Sequence, residues 1–514
     1  MKSVHKLFTS TLFIITFIFS TTINVPEDYA TIQGGLDAAS EGDTIQVDSG
    51  MYVENIFWPE INGIKLFGSG EETCVIDGDS LGSVIQIDHG SSYIVDTSTV
   101  ISGFTLQNGS AYGYNMGGGG LRLFASSPII KNLTIKNNTG NQGGGVSIRW
   151  SYDNPKFENV IIKDNSAYYG GGIYCSGSNV NLTNTTISEN YSESRGGGIY
   201  CEFQMCDLDS VFVTGNYSGS TGGGLFLSNG SGNIENSIFN GNVSDEGGGI
   251  YFVSSDTLNL NNVVINNNSA FSNYYDYRGG GIYCAGATNF TNVTITANIA
   301  NSGGGIYCSS ANASMLNSIL VENSPQEIYF SEFTSPSCTV TVAFTDLYGG
   351  VDSIETNDNG TVYWNEGNID ESPLFCQPGQ ENYSLAENSP CAGTGQNGVN
   401  MGALDVGCTE QLFIEKEIIS IPSDFTLHQN YPNPFNPITM ISYDLPKEAN
   451  VNITIYDMMG RVVNNLVSSQ QNAGYKSIQW NATNNAGQPI SAGLYLYTIQ
   501  AGEFVQTKKM VLLK

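Results

Sequence analysis

The feature that most constrains the fold of this chain is a short glycine cluster that recurs eight times in its central part. The clusters are 25, 27, 26, 26, 25, 32 and 24 residues apart and end at Gly120, Gly145, Gly172, Gly198, Gly224, Gly249, Gly281 and Gly305. A period this regular is the signature of a repeat architecture, in which one small structural unit stacks on the next. The repeating unit therefore decides the fold.

Each unit contains two short apolar strands and one fixed asparagine. The first strand follows the glycine cluster, and strand alternation points Ile173 and Cys175 inward and Tyr174 outward. The asparagine follows the second strand and occupies Asn138, Asn165, Asn190, Asn216, Asn242, Asn268, Asn298 and Asn323. Asparagine tolerates the left-handed backbone of a corner, and its amide can bond to its copy one turn above. Glycine supplies the other sharp corner.

Units of this kind cannot bury their apolar side chains singly, so each strand is expected to pair with its copy in the next turn. We therefore predict an all-β chain with a right-handed parallel β-helix that rises about 4.8 Å per turn. A small immunoglobulin-like β-sandwich is predicted to follow it. A β-propeller is the alternative, but its blades need about 40 residues or more, and the period here is shorter.

Both flanks of the repeats resemble the end turns of pectin-lyase-like β-helices. The similarity lies in Ile23–Ile32, Ala38–Ile45, Leu66–Gly70, Asp370–Phe375 and Met401–Ala403. An amphipathic stretch at 33–40 is expected to be a helix over the open end. The resemblance extends the β-helix over residues 23–410, with capping turns at 23–100, repeats at 101–323 and closing turns at 324–410.

From about residue 421, alternating apolar runs with glycine turns are typical of an immunoglobulin-like sandwich. The motifs Tyr431–Phe435, Ile455–Asp457 and Gly493–Tyr495 and the basic end of the chain resemble the type A sorting domain of type IX secretion substrates. The resemblance implies that residues 423–514, after a linker at 411–422, direct export by the type IX machinery. It assigns the signal to Pro432, Pro434, Gly460, Trp480, Gly493, Lys508, Lys509 and Lys514. An ordinary adhesive sandwich is the alternative.

Residues 1–22 predict a cleaved secretory signal peptide. Lys2 and Lys6 precede the apolar run Leu7–Phe19, and Ser20–Thr22 supplies small residues for cleavage. A membrane anchor is the alternative, but the run is shorter than the about 20 residues that span a bilayer. The predicted signal peptide and the predicted sorting domain together indicate a protein that is secreted from, or displayed on, a Gram-negative-type bacterium. No membrane span is expected after the signal peptide is cleaved.

Charge and histidine content exclude several function classes. Lys+Arg is 18 and Asp+Glu is 48, so the net charge is −30, which disfavours nucleic acid and anionic membranes but suits cations or neutral glycans. His5, His89 and His428 all lie outside the repeats, so a Ser-His-Asp triad or a multi-histidine zinc site is not expected there. No cofactor is predicted, calcium is left open, and a monomer is expected.

Ten cysteines suit an oxidising compartment. The inward column Cys175, Cys201, Cys284 and Cys308 is expected to fill the core. A bridge between the first two of these is sterically feasible, because adjacent strands lie within disulfide range. Cys391 and Cys408 are expected to staple the closing turns.

Two surface features are candidate sites. An outward aromatic column about 24 Å long is a candidate for stacking against sugars and comprises Tyr174, Tyr200, Phe226, Tyr251, Tyr283 and Tyr307. The alternative is that these rings stack on one another and shield the backbone. A basic edge is the candidate catalytic patch. In this patch a lysine would act as the base, and carboxylates would act as the acid or as cation ligands. Its members are Lys136, Lys163, Asp164, Glu189 and Arg195. Its alternative is a solvated edge with weak salt bridges.

The near-identical turns favour binding over catalysis, because an active site usually interrupts a repeat with long irregular loops. The one sizeable insertion, Phe271–Arg278, is rich in tyrosine, which also fits binding. We predict an adhesin-like protein that binds a polysaccharide or cell-surface glycan. A lyase or glycoside hydrolase acting on acidic, plant or algal polysaccharide is the alternative. However, no complete catalytic motif of pectate lyases, pectin methylesterases or polygalacturonases is present.

Overall fold

A computed structural model of the protein describes residues 20–88, 90, 95–113, 117–151, 154–271, 277–332, 337–411, 424–471 and 473–513. The chain divides into two compact units, Met1–Gln411 and Leu412–Lys514. Most of the predicted signal peptide and of the predicted linker lies outside the described residues, as do residues 272–276 of the insertion, His89 and Lys514. The described part of the chain contains no helix long and apolar enough to cross a membrane.

The larger unit is a parallel β-helix with about 14 turns in its described residues. Each strand pairs in parallel with its copies in the neighbouring turns, as Ile173 does with Ile199 and Val180 with Cys206. Apolar side chains on the inner side of all the strands therefore share one continuous core. The predicted fold class, an all-β parallel β-helix, is confirmed.

Three stacks of strands, called faces A, B and C, form the walls of the coil. Face A follows each glycine cluster, face B comes next, and face C precedes the fixed asparagine. The strands of face A alone are Ile56–Phe57, Ile85–Asp88, Leu121–Phe124, Val146–Arg149, Ile173–Ser176, Ile199–Glu202, Leu225–Ser228, Ile306–Cys308, Ile328–Phe330 and Ile354–Glu355. The strands of face B alone are Thr22–Val25, Thr44–Val47, Lys65–Gly68, Val180–Thr183, Cys206–Asp209, Gly232–Glu235, Asn312–Leu316, Cys338–Ala343 and Gly360–Trp364.

The strands of face C alone are Gly50–Val53, Cys74–Asp77, Thr186–Ser188, Phe212–Thr214, Ile238–Asn240, Ile319–Val321 and Asp346–Leu347. Longer strands serve faces B and C together, or all three faces, and are Val100–Gln107, Ile129–Lys136, Lys156–Lys163, Ile250–Asn266 and Ile282–Thr296. A narrower stack between the asparagine and the next glycine cluster comprises Ser110–Ala111, Thr139–Gln142, Ser166–Tyr169, Tyr191–Arg195, Tyr217–Ser218, Val243–Ser244 and Ser269–Ala270.

The corners of the coil explain why glycine and asparagine recur. A Cβ atom at Gly171 would overlap the backbone carbonyl oxygens of Tyr191 and Gly197, because the backbones of successive turns meet there. The corner between faces B and C instead has asparagine in the left-handed region, as at Asn184 with φ 48°. Gly170, with φ 64°, and Asn184 adopt a backbone conformation that costs most other residues free energy. The expectation that the fixed asparagine after face C is left-handed is wrong, because the residue before it has that conformation, as Glu189 does with φ 54° before Asn190.

The eight fixed asparagines form a buried ladder along the coil. The Asn216 Oδ1 atom accepts hydrogen bonds from the backbone N–H and the side-chain amide of Asn190, each at 3.0 Å, and the Asn216 Nδ2 atom donates to the Ile187 carbonyl at 2.9 Å. The last member, Asn323, donates to the buried carboxyl of Glu327 at 3.2 and 2.5 Å. Burial raises the pKa of Glu327 to about 7.

The N-terminal end of the core is covered by the helix Ile32–Ala38, which buries Ile32 and Leu36. Thr31 caps this helix, because its Oγ1 atom accepts a hydrogen bond from the Gly34 N–H at 3.1 Å. The Glu54 carboxylate accepts the Ile32 N–H at 2.9 Å and places negative charge at the helix N-terminus.

The closing turns are held by a disulfide between Cys376 and Cys408. They contain the strands Phe375–Gln377, Asn382–Ala386 and Val406–Cys408 and the 3-10 helices Gly350–Ser353, Pro378–Gln380 and Gln396–Gly398. The expected staple between Cys391 and Cys408 is wrong, because Cys376 lies on the same small sheet as Cys408, whereas the buried Cys391 thiol donates to Asp346 at 3.1 Å. The feasible bridge between Cys175 and Cys201 is not formed, since both thiols are free and buried.

The smaller unit is an antiparallel β-sandwich of the immunoglobulin-like type, as predicted. Its three-stranded sheet comprises Thr426–Leu427, Thr439–Leu445 and Gly474–Trp480, and its four-stranded sheet comprises Ala449–Asp457, Val462–Gln471, Gly493–Ala501 and Phe504–Leu512. Trp480, Tyr443 and Tyr497 are among its fully buried core side chains.

Candidate functional site

A groove of about 490 Å³ crosses the outer side of face B over four successive strands. Strand alternation and parallel register arrange its outward side chains in two columns. One column is Lys156, Asn181, Asp207 and Asn233, and the other is Glu158, Thr183, Asp209 and Glu235. Because turns are about 4.8 Å apart, the groove presents polar groups at a constant spacing along the axis of the coil.

Hydrogen bonds between turns hold the groove side chains in place. The Asn233 Nδ2 atom donates to the Asp207 Oδ1 atom at 2.9 Å, and the Asn236 Nδ2 atom donates to the Asp209 Oδ1 atom at 2.9 Å. The Asn181 Oδ1 atom is buried and has no hydrogen-bond partner among the described residues. The groove therefore contains carboxylates that are held in fixed orientations.

Three exposed aromatic side chains occupy the corners that flank the strands of the groove, and none of them belongs to its lining. Trp150 and Phe203 occupy the corner between faces A and B, two turns apart, and are 62% and 57% exposed. Between them, Gly177 has no side chain, and a Cβ atom there would lie 3.2 Å from the Trp150 ring. Phe212, 49% exposed, begins face C three residues after Asp209. An aromatic face can pack against the apolar face of a sugar while neighbouring polar groups bond its hydroxyls.

The predicted aromatic column is stacked ring on ring. Consecutive ring centroids between Tyr174 and Tyr307 are 4.6 to 5.5 Å apart. Guanidinium groups cover the column at 5.3 to 5.4 Å and belong to Arg149, Arg195 and Arg278. The rings that are almost fully buried are Tyr174, Tyr200, Phe226 and Tyr307, whereas Tyr251 and Tyr283 are half-buried. The predicted alternative, in which the rings stack on one another, is therefore confirmed, and a glycan-binding role for the column stays a prediction.

The predicted basic edge is only partly assembled. Lys136 and Lys163 are direct neighbours in register, and Asp164 and Glu189 lie at the left-handed corner that follows them. Within residues 117–151 and 154–271, no ion pair joins these lysines to these carboxylates. Partial desolvation and then the charge of Asp164 raise the pKa of the Glu189 carboxyl. Arg195 lies apart, over the Phe226 ring, so the five residues form no single cluster. Their catalytic role stays a prediction.

The predicted sorting residues are distributed over the smaller unit. Trp480 is buried beside Phe435, with ring centroids 5.6 Å apart, and Gly460 has φ 77° in the turn between two strands. Gly493 begins a strand, Pro432 and Pro434 precede the strand Thr439–Leu445, and two lysines of the last strand are Lys508 and Lys509. Their role in secretion stays a prediction.

Sequence reasoning missed the groove because it recognised two strands in each repeat, whereas the structure has a third, on face B. The most direct signal was Trp150, the only tryptophan between residues 101 and 323. A second signal was Phe203, a large apolar residue at a corner where the following turn has Asn229. No group of three or more metal-ligating side chains occurs in the described parts of the chain. The prediction on cofactors stays a prediction.

The fold and the groove define a parallel β-helix protein with a C-terminal immunoglobulin-like domain. Residues 438–503 match the model of the FlgD Ig-like domain. Residues 184–202 match the model of the Chlamydia polymorphic membrane protein repeat. No curated protein matches the chain.

Several solved structures are similar to the chain at low identity. The catalytic unit of a GH87 α-1,3-glucanase from Streptomyces thermodiastaticus is 13% identical, with 68% of each chain covered and a TM-score of 0.34. Pectate lyase Pel9A is 12% identical, with 76% of this chain and 98% of that chain covered and a TM-score of 0.32. PorZ, a surface component of the type IX secretion system of Porphyromonas gingivalis, is 19% identical, with 17% of this chain covered and a TM-score of 0.14. The chain spans only 11% of PorZ.

Proposed function

We propose that this protein is exported from a bacterial cell and binds a polysaccharide along face B without cleaving it, as an adhesin-like protein. The observation that carries the proposal is the groove of polar columns beside the exposed rings of Trp150, Phe203 and Phe212. An open groove along the axis of a rigid coil suits an extended chain better than a compact small molecule, which is usually enclosed by its site.

The spacing of the groove supports a glycan chain as the ligand. Trp150 and Phe203 are two turns apart, which is about 10 Å at the usual strand spacing and comparable to the length of a disaccharide. Because the polar columns have the same period, successive sugar rings would meet similar hydrogen-bonding groups at each turn.

The test is a glycan-binding screen with the full chain and the variants Trp150→Asn and Phe203→Asn. Asparagine is a suitable replacement because Asn229 occupies the same corner one turn after Phe203. Each variant is expected to lose about tenfold in affinity, as is usual for an aromatic anchor. The control is Phe57→Asn, which removes an exposed ring from face A. Equal losses in all three variants, or no glycan binding by the wild type, would refute the proposal.

A glycoside hydrolase is the second candidate, because the groove contains paired carboxylates. Asp209 and Glu235 are neighbours in register, and Asp207 lies two residues before Asp209 on the same side of its strand. Two carboxyl groups beside a glycosidic bond are the minimum for its hydrolysis. The test is an assay for new reducing ends with any polysaccharide that the groove binds. Cleavage that disappears in Asp209→Asn and Glu235→Gln while binding persists would favour the hydrolase over the binding protein.

We propose type IX secretion as the export route, supported by the motif Tyr431–Phe435, by Gly460 and Trp480, and by the lysines of the last strand. The test compares the location of the full chain in a host with the type IX machinery and in a host that lacks it. The chain is expected on the surface or in the medium of the first host only. Equal export by both hosts would refute the proposal.

A further inference from the structure

We infer that the groove on face B is specific for glycans that carry free amino groups and that it rejects polyanionic glycans. The inference deepens the proposed function and rests on it, because it assigns a ligand chemistry to the same groove. It is carried by the charge of the groove lining, by its carboxylate acceptors, and by the rings at the flanking corners.

The lining of the groove is strongly acidic. Its carboxylates are Glu158, Asp207, Asp209 and Glu235, and its one cationic side chain is Lys156, so the formal charge is 1 − 4 = −3. Lys156 lies at the N-terminal end of the groove, whereas three of the carboxylates lie on the two turns at the other end. A concave surface of one sign concentrates ligands of the opposite sign, and it repels a polyuronate or a sulfated chain.

Carboxylates are the most numerous charged hydrogen-bonding groups of the groove. Ionised carboxylates can only accept hydrogen bonds, whereas the donors of the lining include the Lys156 ammonium, the Asn181 amide and the Thr183 hydroxyl. The Asn233 amide, by contrast, already donates to Asp207 at 2.9 Å and accepts from Asn259 at 3.0 Å. A ligand that pairs with the four carboxylates must donate, and an ammonium group brings three donors and a positive charge.

The exposed rings favour the same chemistry. Trp150 and Phe203 stand at the corner where the groove begins, and a cation held over an aromatic face is attracted by the ring electrons. A polysaccharide of amino sugars therefore combines ring faces for stacking, hydroxyls for the amides, and ammonium groups for the carboxylates. N-acetylation of the same polysaccharide removes the charge and leaves one donor at each nitrogen.

The test measures binding of four soluble oligosaccharides of equal length to the full chain by titration calorimetry. The probes are an oligoglucosamine, its N-acetylated form, a neutral β-1,4-glucan and an oligogalacturonate, all at about pH 5.5, where amines and most carboxylates are charged. The oligoglucosamine is expected to bind at least about tenfold more tightly than the other three. This preference is expected to decrease as salt is added.

Two matched variants separate a local effect from the overall charge of the chain. Glu235→Gln removes an exposed carboxylate from the groove, and Glu60→Gln removes an exposed carboxylate near the N-terminal end of the coil. Glu235→Gln is expected to reduce the preference for the oligoglucosamine over the neutral glucan severalfold. Glu60→Gln is expected to leave this preference unchanged.

Each outcome decides one of the two proposals. Oligogalacturonate binding as tight as oligoglucosamine binding, or equal effects of the two variants, would overturn the amine specificity. Binding of the neutral glucan that depends on Trp150, without a preference for the amine, would overturn this inference alone. If none of the four probes showed binding that depends on Trp150, the proposed function itself would be contradicted.

Discussion

Replacing Asn216 with alanine removes one rung of the buried asparagine ladder. Its Oδ1 atom accepts from the backbone and side-chain N–H groups of Asn190, each at 3.0 Å, and its Nδ2 atom donates to Ile187 at 2.9 Å and to Asn242 at 3.0 Å. Asn216 is fully buried, so water does not readily replace these bonds. The substitution therefore removes four hydrogen bonds and takes from the Asn190 N–H its partner. The Asn190 Nδ2 atom still donates to Ile162 at 2.9 Å, and the Asn242 Oδ1 atom still accepts the backbone N–H of residue 216 at 3.0 Å.

The expected loss of stability follows from these four hydrogen bonds. A buried hydrogen bond contributes about 1 kcal/mol, so their loss costs about 4 kcal/mol. The matched control is Asn259→Ala, because Asn259 makes the same kind of ladder on the outer side of face B, with bonds to Asn233 at 3.0 Å and from Asn289 at 2.8 Å. Asn259 is exposed, so water can replace its bonds, and the expected loss is below about 1 kcal/mol.

The measurement is equilibrium urea unfolding followed by far-UV circular dichroism, with hydrogen exchange of the Asn190 backbone N–H as a local probe. Asn216→Ala is expected to lower the unfolding midpoint strongly and to speed exchange at Asn190. If the two variants lost the same stability, or if the Asn190 N–H exchanged as slowly as in the wild type, the buried ladder would not hold the coil together in the way described.

Three further predictions concern stability. Burial raises the pKa of Glu327 from 4.5 to about 7. The contribution of this carboxyl group to stability is therefore complete below pH 4.5 and is lost as the pH rises through about 7, and the free energy of unfolding falls by about 3 kcal/mol. Glu327→Gln should therefore flatten the pH dependence of urea unfolding between about pH 5 and pH 8, and an unchanged slope would contradict this. The bond between Cys376 and Cys408 closes a loop with a sequence separation of 32, so its reduction should cost roughly 3–4 kcal/mol and expose the closing turns to limited proteolysis. Gly171→Ala should cost at least about 2 kcal/mol in urea unfolding, because its Cβ would meet backbone atoms, whereas Gly241→Ala has open space and should cost about 1 kcal/mol for its left-handed backbone. Equal losses in the two glycine variants would contradict the overlap.

The repeat made the coil predictable, but the candidate site could be read from the sequence only in part. Tyr174 was correctly expected to point outward, because alternation along a strand is a local property. Whether its ring was open to a ligand depended on Tyr200 in the next turn, whose ring lies 4.9 Å away, and on Arg149, which covers it. The disulfide was misassigned for a similar reason, since the partner of Cys408 is decided by which strands share the small closing sheet.

The sequence by itself determined the corners of this protein and therefore its coil. Gly170 and Asn184 take the left-handed backbone conformation of their own corners, and the period with which such residues recur follows directly from the chain. Only the tertiary structure decided which side chains the groove brings together. Asp207 and Trp150 are 57 residues apart in the chain, and they belong to one surface because turns stack about 4.8 Å apart in register. Burial of the aromatic column and exposure of the groove follow from the stacking of turns, which cannot be read from any single repeat.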